Sequence, residues 1–193
     1  MKTVTLILFL MIGTFGIYSQ DINTLELTQV SSANPVYLKS QINKKGAFIF
    51  FIDNSCAFVN SYNARLTFLS KELSASGYSV LFVNPHEQNN PATDNVNASN
   101  EFFANQNWTG KYYSDTNQEL TKLLGATKLP EVFFVTLDGT KLNVIYQGAI
   151  DDNPQNAKAV KTNYVTNAEE MKSNGKKVSP AKTPALGCRI KRF

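Results

Sequence analysis

Lys44-Lys45-Gly46-Ala47-Phe48-Ile49-Phe50-Phe51-Ile52-Asp53-Asn54-Ser55-Cys56 is the stretch from which the rest of the chain can be read. The run from Ala47 to Ile52 is continuously apolar, too short for an isolated helix and rich in aromatic and branched side chains. It predicts a buried central strand. Asp53-Asn54-Ser55 then offers side-chain oxygens to the free backbone donors of a helix start, and Tyr62, Leu66, Leu69 and Leu73 recur at helical spacing. Gly77 ends that helix, Tyr78 to Val83 supplies another apolar strand, and Asn84-Pro85 closes it. Strand, helix, strand reads as a parallel crossover unit, with Cys56 where its helix begins.

Downstream, the polar segment from Glu87 to Ala98 reads as a surface loop entering a helix that holds Phe102 and Phe103, with Trp108 just beyond. Lys111 to Tyr113 suggests a short strand. Asp115 caps a helix carrying Leu120, Leu123 and Leu124, which stops at Gly125. Leu129-Pro130 leads into the apolar strand Val132 to Leu137, and Asp138-Gly139 turns it back into an antiparallel partner from Lys141 to Gln147. Asn156 to Met171 predicts a last helix with Ala157, Val160, Tyr164 and Ala168 inward, and beyond Ser173 the chain is rich in Lys, Pro and Gly and reads as extended. Upstream, Ile22 to Leu27 and Val36 to Leu38 flank a polar turn and suggest an opening hairpin.

The chain has 193 residues and is 42% hydrophobic, which fits one globular domain with appendages. Lys2 followed by an apolar run from Val4 to Ile17 and a short polar stretch has the layout of a cleaved export signal over residues 1–19, with an uncleaved anchor as the alternative. The run is short for a membrane span and no Cys follows to take a lipid, so the expected mature protein is free of the membrane and periplasmic or secreted. The domain division is then 1–19 signal, 20–172 globular domain, and 173–193 tail. Much of the formal charge of +4 sits at the end of the chain, where after Glu170 come Lys172, Lys176, Lys177, Lys182, Arg189, Lys191 and Arg192 with no acid among them. No aromatic residues interleave with these cations, so nucleic acid is not an expected partner.

Two cysteines in an oxidising compartment, Cys56 and Cys188, make an intramolecular disulfide available. A helix start stabilises a thiolate through its free N–H groups and dipole, which makes Cys56 a candidate nucleophile. A cis Leu129-Pro130 bond would turn the backbone toward that sulfur, where Leu129 and Pro130 could pair with an incoming substrate strand. One histidine and two distant cysteines give no acceptable metal-ligand spacing, and no cofactor is implied. His86, just after a strand end, reads as a surface-loop residue, and Arg65 as an exposed helix residue or else a positive neighbour of the thiolate. Phe102, Phe103 and Trp108 read as core packing before they read as a groove.

The element order, with a Cys at the first helix of the crossover and a Pro before the third apolar strand, resembles the thioredoxin fold: a central mixed sheet flanked by helices. Asn54-Ser55-Cys56-Ala57-Phe58-Val59-Asn60-Ser61-Tyr62, Leu129-Pro130-Glu131-Val132-Phe133, Gly148-Ala149-Ile150-Asp151-Asp152-Asn153-Pro154 and Gly187-Cys188-Arg189-Ile190-Lys191 are similar to bacterial redoxins, the AhpC/TSA-like relatives of peroxiredoxins. The resemblance covers almost all of the mature chain. It implies Cys56 as the active-site Cys, Pro130 as the cis-Pro and Cys188 as a C-terminal Cys. It also implies protein disulfides or small hydroperoxides as substrates and an external thiol as reductant.

Two departures bear on the chemistry. Val59 stands where a thioredoxin has its second Cys, and Asp53 and Ile49 stand where a peroxiredoxin has its Thr or Ser and its Pro. Asp53 would place negative charge near the thiolate and raise its pKa. Two accounts therefore stay open. Cys56 attacks and Cys188 resolves, in disulfide exchange or peroxide reduction. Alternatively, the bond forms once and staples the tail, adding about 4 kcal/mol on the chain-entropy view in a non-catalytic module.

Overall fold

In the computed structural model, which describes residues 22–193, the apolar run forms β3 (Ala47–Phe51) with all five residues buried. A strand with no exposed side chain needs cover on both faces, and the neighbouring elements supply it. In chain order these are β1 (Glu26–Gln29), β2 (Asn34–Tyr37), α1 (Leu38–Gln41), then β3, α2 (Ala57–Ser61), α3 (Asn63–Ala75), β4 (Ser79–Asn84), α4 (Pro91–Asp94), α5 (Val96–Ala104), β5 (Lys111–Ser114) and α6 (Glu119–Leu124). They continue with β6 (Lys128–Leu129), β7 (Glu131–Asp138), β8 (Lys141–Gly148), a 3-10 turn at Ala157–Ala159, α7 (Tyr164–Ser173) and β9 (Cys188–Arg189). The expected signal over residues 1–19 lies outside the described residues.

Seven strands form one mixed sheet in the order β2-β1-β5-β4-β3-β7-β8. β3, β4 and β5 run parallel, as crossovers through helices require, while β7 lies antiparallel to β3 with Phe51 opposite Glu131. This places the ends of β3 and β4 side by side, with Phe51 opposite Val83, at the edge where Asp53, Cys56 and His86 emerge. The β7–β8 hairpin forms at Asp138-Gly139 as its turn chemistry calls for, whereas the opening hairpin is shifted: its first strand is Glu26–Gln29 rather than Ile22 to Leu27, and Asn34-Pro35, expected in the turn, begin β2.

Aromatic packing fills the core. Phe48 stacks on Phe134 at 4.2 Å between centroids, with Tyr78 edge-on to both. Phe82 stacks on Trp108 at 4.7 Å, and Phe102 and Phe103 close around the indole. Such pairs add about 0.5–1.5 kcal/mol each beyond the area they bury. The Trp108 indole N–H donates to Asn63 Oδ1 at 2.8 Å, so its polar edge is satisfied.

Two further elements differ from the sequence reading. The helix expected over Asn156–Met171 begins only at Tyr164, because side chains upstream compete for the amides a helix would use. Asn156 Oδ1 accepts from the Lys158 amide and Asp152 Oδ1 from the Lys161 amide, leaving Val160 extended at ψ 126°. The inner face is accordingly Val165 and Ala168, while Ala157 is exposed. The loop from Glu87 to Ala98 also contains a helical turn, α4. It is held by the buried Asp94, whose Oδ1 accepts from the Asn54 amide and from Asn84 Nδ2.

Candidate redox site

The site is built where β3 ends. Asp53 Oδ1 accepts from the amides of Ser55 at 3.1 Å and Cys56 at 2.6 Å, fixing the turn that leads into α2. Cys56 occupies the N-cap position with an extended backbone, and the residue is buried. Cys56 and Cys188 are disulfide-bonded across 132 residues of chain, with α-carbons 6.2 Å apart. Bonded sulfur carries no proton, so the 3.4 Å approach of Cys56 Sγ to the Leu129 carbonyl oxygen is a contact rather than a hydrogen bond.

The peptide Leu129–Pro130 is cis. Leu129 stands opposite Cys188 in the short antiparallel pairing of β6 with β9, and Lys128 stands opposite Arg189. All four residues singled out in the sequence, Cys56, Cys188, Leu129 and Pro130, thus lie together. Glu131, buried just after the proline, holds the loop in place: its Oε2 accepts from the amides of Thr127 at 2.7 Å and Lys128 at 3.1 Å.

The tail is docked from Ala181 onward. Gln147 exchanges backbone hydrogen bonds with Ala181 and Thr183, and Thr183 Oγ1 accepts from the Ala149 amide at 3.0 Å. A Cβ on Gly148, whose φ is +141°, would overlap the Thr183 carbonyl, and a Cβ on Gly187 would overlap that of Leu129. Neither position tolerates a side chain in this arrangement. Beyond Cys188, the Ile190 amide donates to Thr127 O and its side chain is buried. Gln118 Nε2 and Asn89 Nδ2 both donate to Lys191 O, at 2.7 and 2.9 Å. Gln118 does so from a left-handed backbone, φ 55°, a conformation that disfavours a residue with a Cβ.

His86 connects the tail to the helix start. Its Nδ1 lies 2.9 Å from Asp53 Oδ2, and its Nε2 accepts from the Lys191 amide at 3.0 Å. An amide donor facing Nε2 leaves Nδ1 to carry the ring proton toward the carboxylate. The surface position expected for His86 is therefore corrected: the residue is 3% exposed. Its partner is visible in the topology, since Asp53 and His86 follow the ends of two adjacent parallel strands, an edge where such folds gather site residues.

Arg65 is likewise not the exposed helix residue expected, its side chain being 14% exposed. Its Nη1 meets Asp151 Oδ2 at 2.8 Å and Asn153 O at 2.8 Å, Nη2 meets Pro154 O, and Tyr62 OH donates to Asp151 Oδ1. The Ile150-Asp151-Asp152-Asn153-Pro154 segment is thus a receptor for the α3 arginine. Burial, and secondarily the Asp151 charge, push the Tyr62 phenol above its ordinary range. Among the described residues no group of three or more His, Cys, Asp or Glu side chains is placed to hold a metal, and no helix is long and apolar enough to cross a membrane.

Residues 19–142, more than half of the chain and including Cys56 and Pro130, match the AhpC/TSA family. The chain belongs to the AhpC/TSA family. Among curated proteins none matches this AhpC/TSA protein. Of solved structures, an uncharacterized conserved protein from Geobacillus kaustophilus is 24% identical, with a TM-score of 0.78 over 90% of this chain and 91% of that one. A hypothetical protein from Sinorhizobium meliloti is 24% identical, with a TM-score of 0.74 over 87% and 90%. The exposed lipoprotein thioredoxin of Streptococcus pneumoniae is 15% identical, with a TM-score of 0.52 over 75% and 97%. At these identities the likeness is one of fold, and the fold of this AhpC/TSA protein is thioredoxin-like. The family match ends before β8 is complete, so Cys188 and the whole tail lie beyond it.

Proposed function

We propose that this AhpC/TSA protein is an exported thiol oxidoreductase in which Cys56 is the nucleophile and Cys188 the resolving thiol, with protein disulfide exchange ahead of peroxide reduction. The observation that carries the reading is the position of β9. Cys188 reaches Cys56 on a strand paired with Leu129, the arrangement an incoming substrate strand would adopt. In exchange, the Cys56 thiolate attacks one sulfur of a substrate disulfide, forming a mixed disulfide and releasing one substrate thiolate. The Cys188 thiolate then attacks Cys56 Sγ, releasing the second substrate thiolate and closing the internal bond. With a hydroperoxide, Cys56 takes the terminal oxygen as a sulfenic acid, an alcohol leaves, and Cys188 condenses with it to release water.

An external thiol must reopen the bond, and it meets Cys188 first. Cys56 is 3% exposed whereas Cys188 is partly exposed. A surface cleft of about 490 Å³ bounded by Phe58, Lys128, Asp152, Leu186 and Gly187, the last of these the chain neighbour of Cys188, offers the approach. Export rests on the charged and apolar pattern of residues 1–19, and the exposed location of the pneumococcal lipoprotein thioredoxin is in keeping with it. The same reading divides the chain into a domain over 20–172 and a functional tail over 173–193.

The second reading, a bond that only locks the tail in a non-catalytic module, is favoured by the extent of docking, from Ala181 to Arg192. Equilibration of the protein with thiol buffers separates the two. An exchange pair gives a reduction potential above about −300 mV and turns over insulin disulfides or a hydroperoxide, while a staple lies below it and does neither.

A further inference from the structure

We infer that the groove holding the tail accepts, in its place, an extended segment of a partner protein reading Gly-Cys-x-aliphatic, in the direction and register of Gly187-Cys188-Arg189-Ile190, the tail being a tethered competitor for it. The inference rests on reading Cys56 and Cys188 as an exchange pair. It adds a selection rule that follows from what each tail residue touches.

At the residue before the Cys, any Cβ meets the Leu129 carbonyl oxygen and carbon. Leu129 cannot withdraw, because it is fully buried, pairs with Cys188 and touches Cys56 Sγ. The position therefore requires glycine. The residue after the Cys, Arg189, is exposed, so its side chain is not selected. Two residues after the Cys, Ile190 is 4% exposed and donates its amide to Thr127 O. A charged side chain there would be desolvated without a partner. At the next residue only the backbone is read: Lys191 N–H goes to His86 Nε2 and its carbonyl to Gln118 and Asn89, while the side chain is exposed. Any residue but proline fits there, since proline has no N–H to give.

Backbone pairing holds the strand, and the two side-chain restrictions select it, the usual division of labour when a peptide adds to a strand edge. A tethered tail presents itself at an effective concentration of order mM, so a free peptide competes poorly until the tail is displaced. The Gly187 contact supplies the means: Gly187→Val in the chain itself pushes the tail out by the same overlap.

The test uses the full-length double variant Gly187→Val/Cys188→Ser, reduced and checked for native circular dichroism. Three peptides are each joined through their Cys to thionitrobenzoate: one copying residues 187–191, one with Val for its Gly, and one with Asp for its Ile. Cys56 thiolate attacks the peptide sulfur, the Cys56–peptide bond forms, the peptide–aryl bond breaks, and coloured thionitrobenzoate leaves with the electron pair. The parent peptide is expected to react at least about tenfold faster than either altered one, the rate ratio being read as a difference of interaction free energies. A small aromatic disulfide serves as the reporter of Cys56 itself. Equal rates for all three peptides, with Cys56 reactive toward the small disulfide, overturn the selection rule and leave the exchange reading standing. A folded protein whose Cys56 reacts with none of them overturns both. Should the double variant not fold, Cys188→Ser alone gives the same ranking at lower absolute rates, and the same two outcomes overturn it.

Discussion

Cys188 lies opposite Leu129 in an antiparallel pair, and the sulfur to which it is bonded, that of Cys56, sits 3.4 Å from the Leu129 carbonyl oxygen. One residue, Leu129, thereby faces both halves of the disulfide. The tail strand does two things at this point: it covers the buried Cys56 and it delivers the only cysteine among the described residues that can bond to it. Whatever displaces the strand exposes Cys56, and whatever anchors it favours the bond. Redox state and tail docking are two descriptions of the same equilibrium.

Gly187→Val tests that coupling. The added side chain overlaps the Leu129 carbonyl, so the tail must shift while the rest of the protein is untouched. The Cys56–Cys188 bond then becomes easier to reduce, and each 1.4 kcal/mol of lost docking raises the two-electron potential by about 30 mV. An unchanged potential in glutathione redox buffers would show that the close approach at Gly187 contributes nothing to the bond.

Cys188→Ser removes a link closing a loop of 132 residues. Chain entropy alone assigns such a loop about 4–5 kcal/mol. Urea unfolding under non-reducing conditions should show a loss of that order against the wild type. Reduced wild type should match the variant closely, since both lack the same constraint. A variant as stable as the oxidised wild type removes the staple's role in holding the fold.

The sheet could be read in the sequence because its signals are local. Ala47 to Ile52 is a buried strand by composition, and Asp138-Gly139 turns β7 into β8 where turn chemistry expects it. The meeting of Cys56, Leu129 and Pro130 followed from element order. His86 and Arg65 were not legible, because what defines them is 33 and 86 residues away, in the carboxylates of Asp53 and Asp151. A lone His after a strand end has no local mark of burial. The start of α7 was missed for a different reason: the intervening Asn156 and Asp152 satisfy backbone amides locally, and a periodicity of apolar residues does not register that competition. The path of the tail was hidden because the need for glycine at 187 comes from Leu129 and not from its own neighbours.

His86→Ala tests the link between tail and helix start. It leaves the Lys191 amide and the buried Asp53 Oδ2 without the imidazole between them. An unsatisfied buried group costs about 1–3 kcal/mol. Hydrogen exchange at Lys191 should therefore quicken, and the disulfide should become more readily reduced. A slower effect at Lys191 than at the exposed loop amides would argue that His86 holds only Asp53.

High pH separates the folded and unfolded chains through five tyrosines. Tyr62, Tyr78, Tyr112, Tyr113 and Tyr146 are almost fully buried, and burial is the leading cause that raises each phenol above its ordinary 10.0. The unfolded chain gives up these protons as pH passes 10, whereas the folded chain keeps them, so the folded state binds more protons. Stability is then fully present below pH 10 and falls as pH rises toward the raised values, by about 1.4 kcal/mol per pH unit for each tyrosine ionised only in the unfolded chain. Unfolding free energies measured with the disulfide intact should be flat from about pH 8 to 9 and drop steeply beyond about pH 10. Tyr113→Phe removes one of the five, along with the hydrogen bond to Gln41 Oε1 at 2.7 Å. It should lower stability at neutral pH while making the alkaline slope shallower by one tyrosine's share. A slope unchanged in that variant would mean that the Tyr113 phenol ionises as easily inside the protein as outside it, against its complete burial beside β1 and β4.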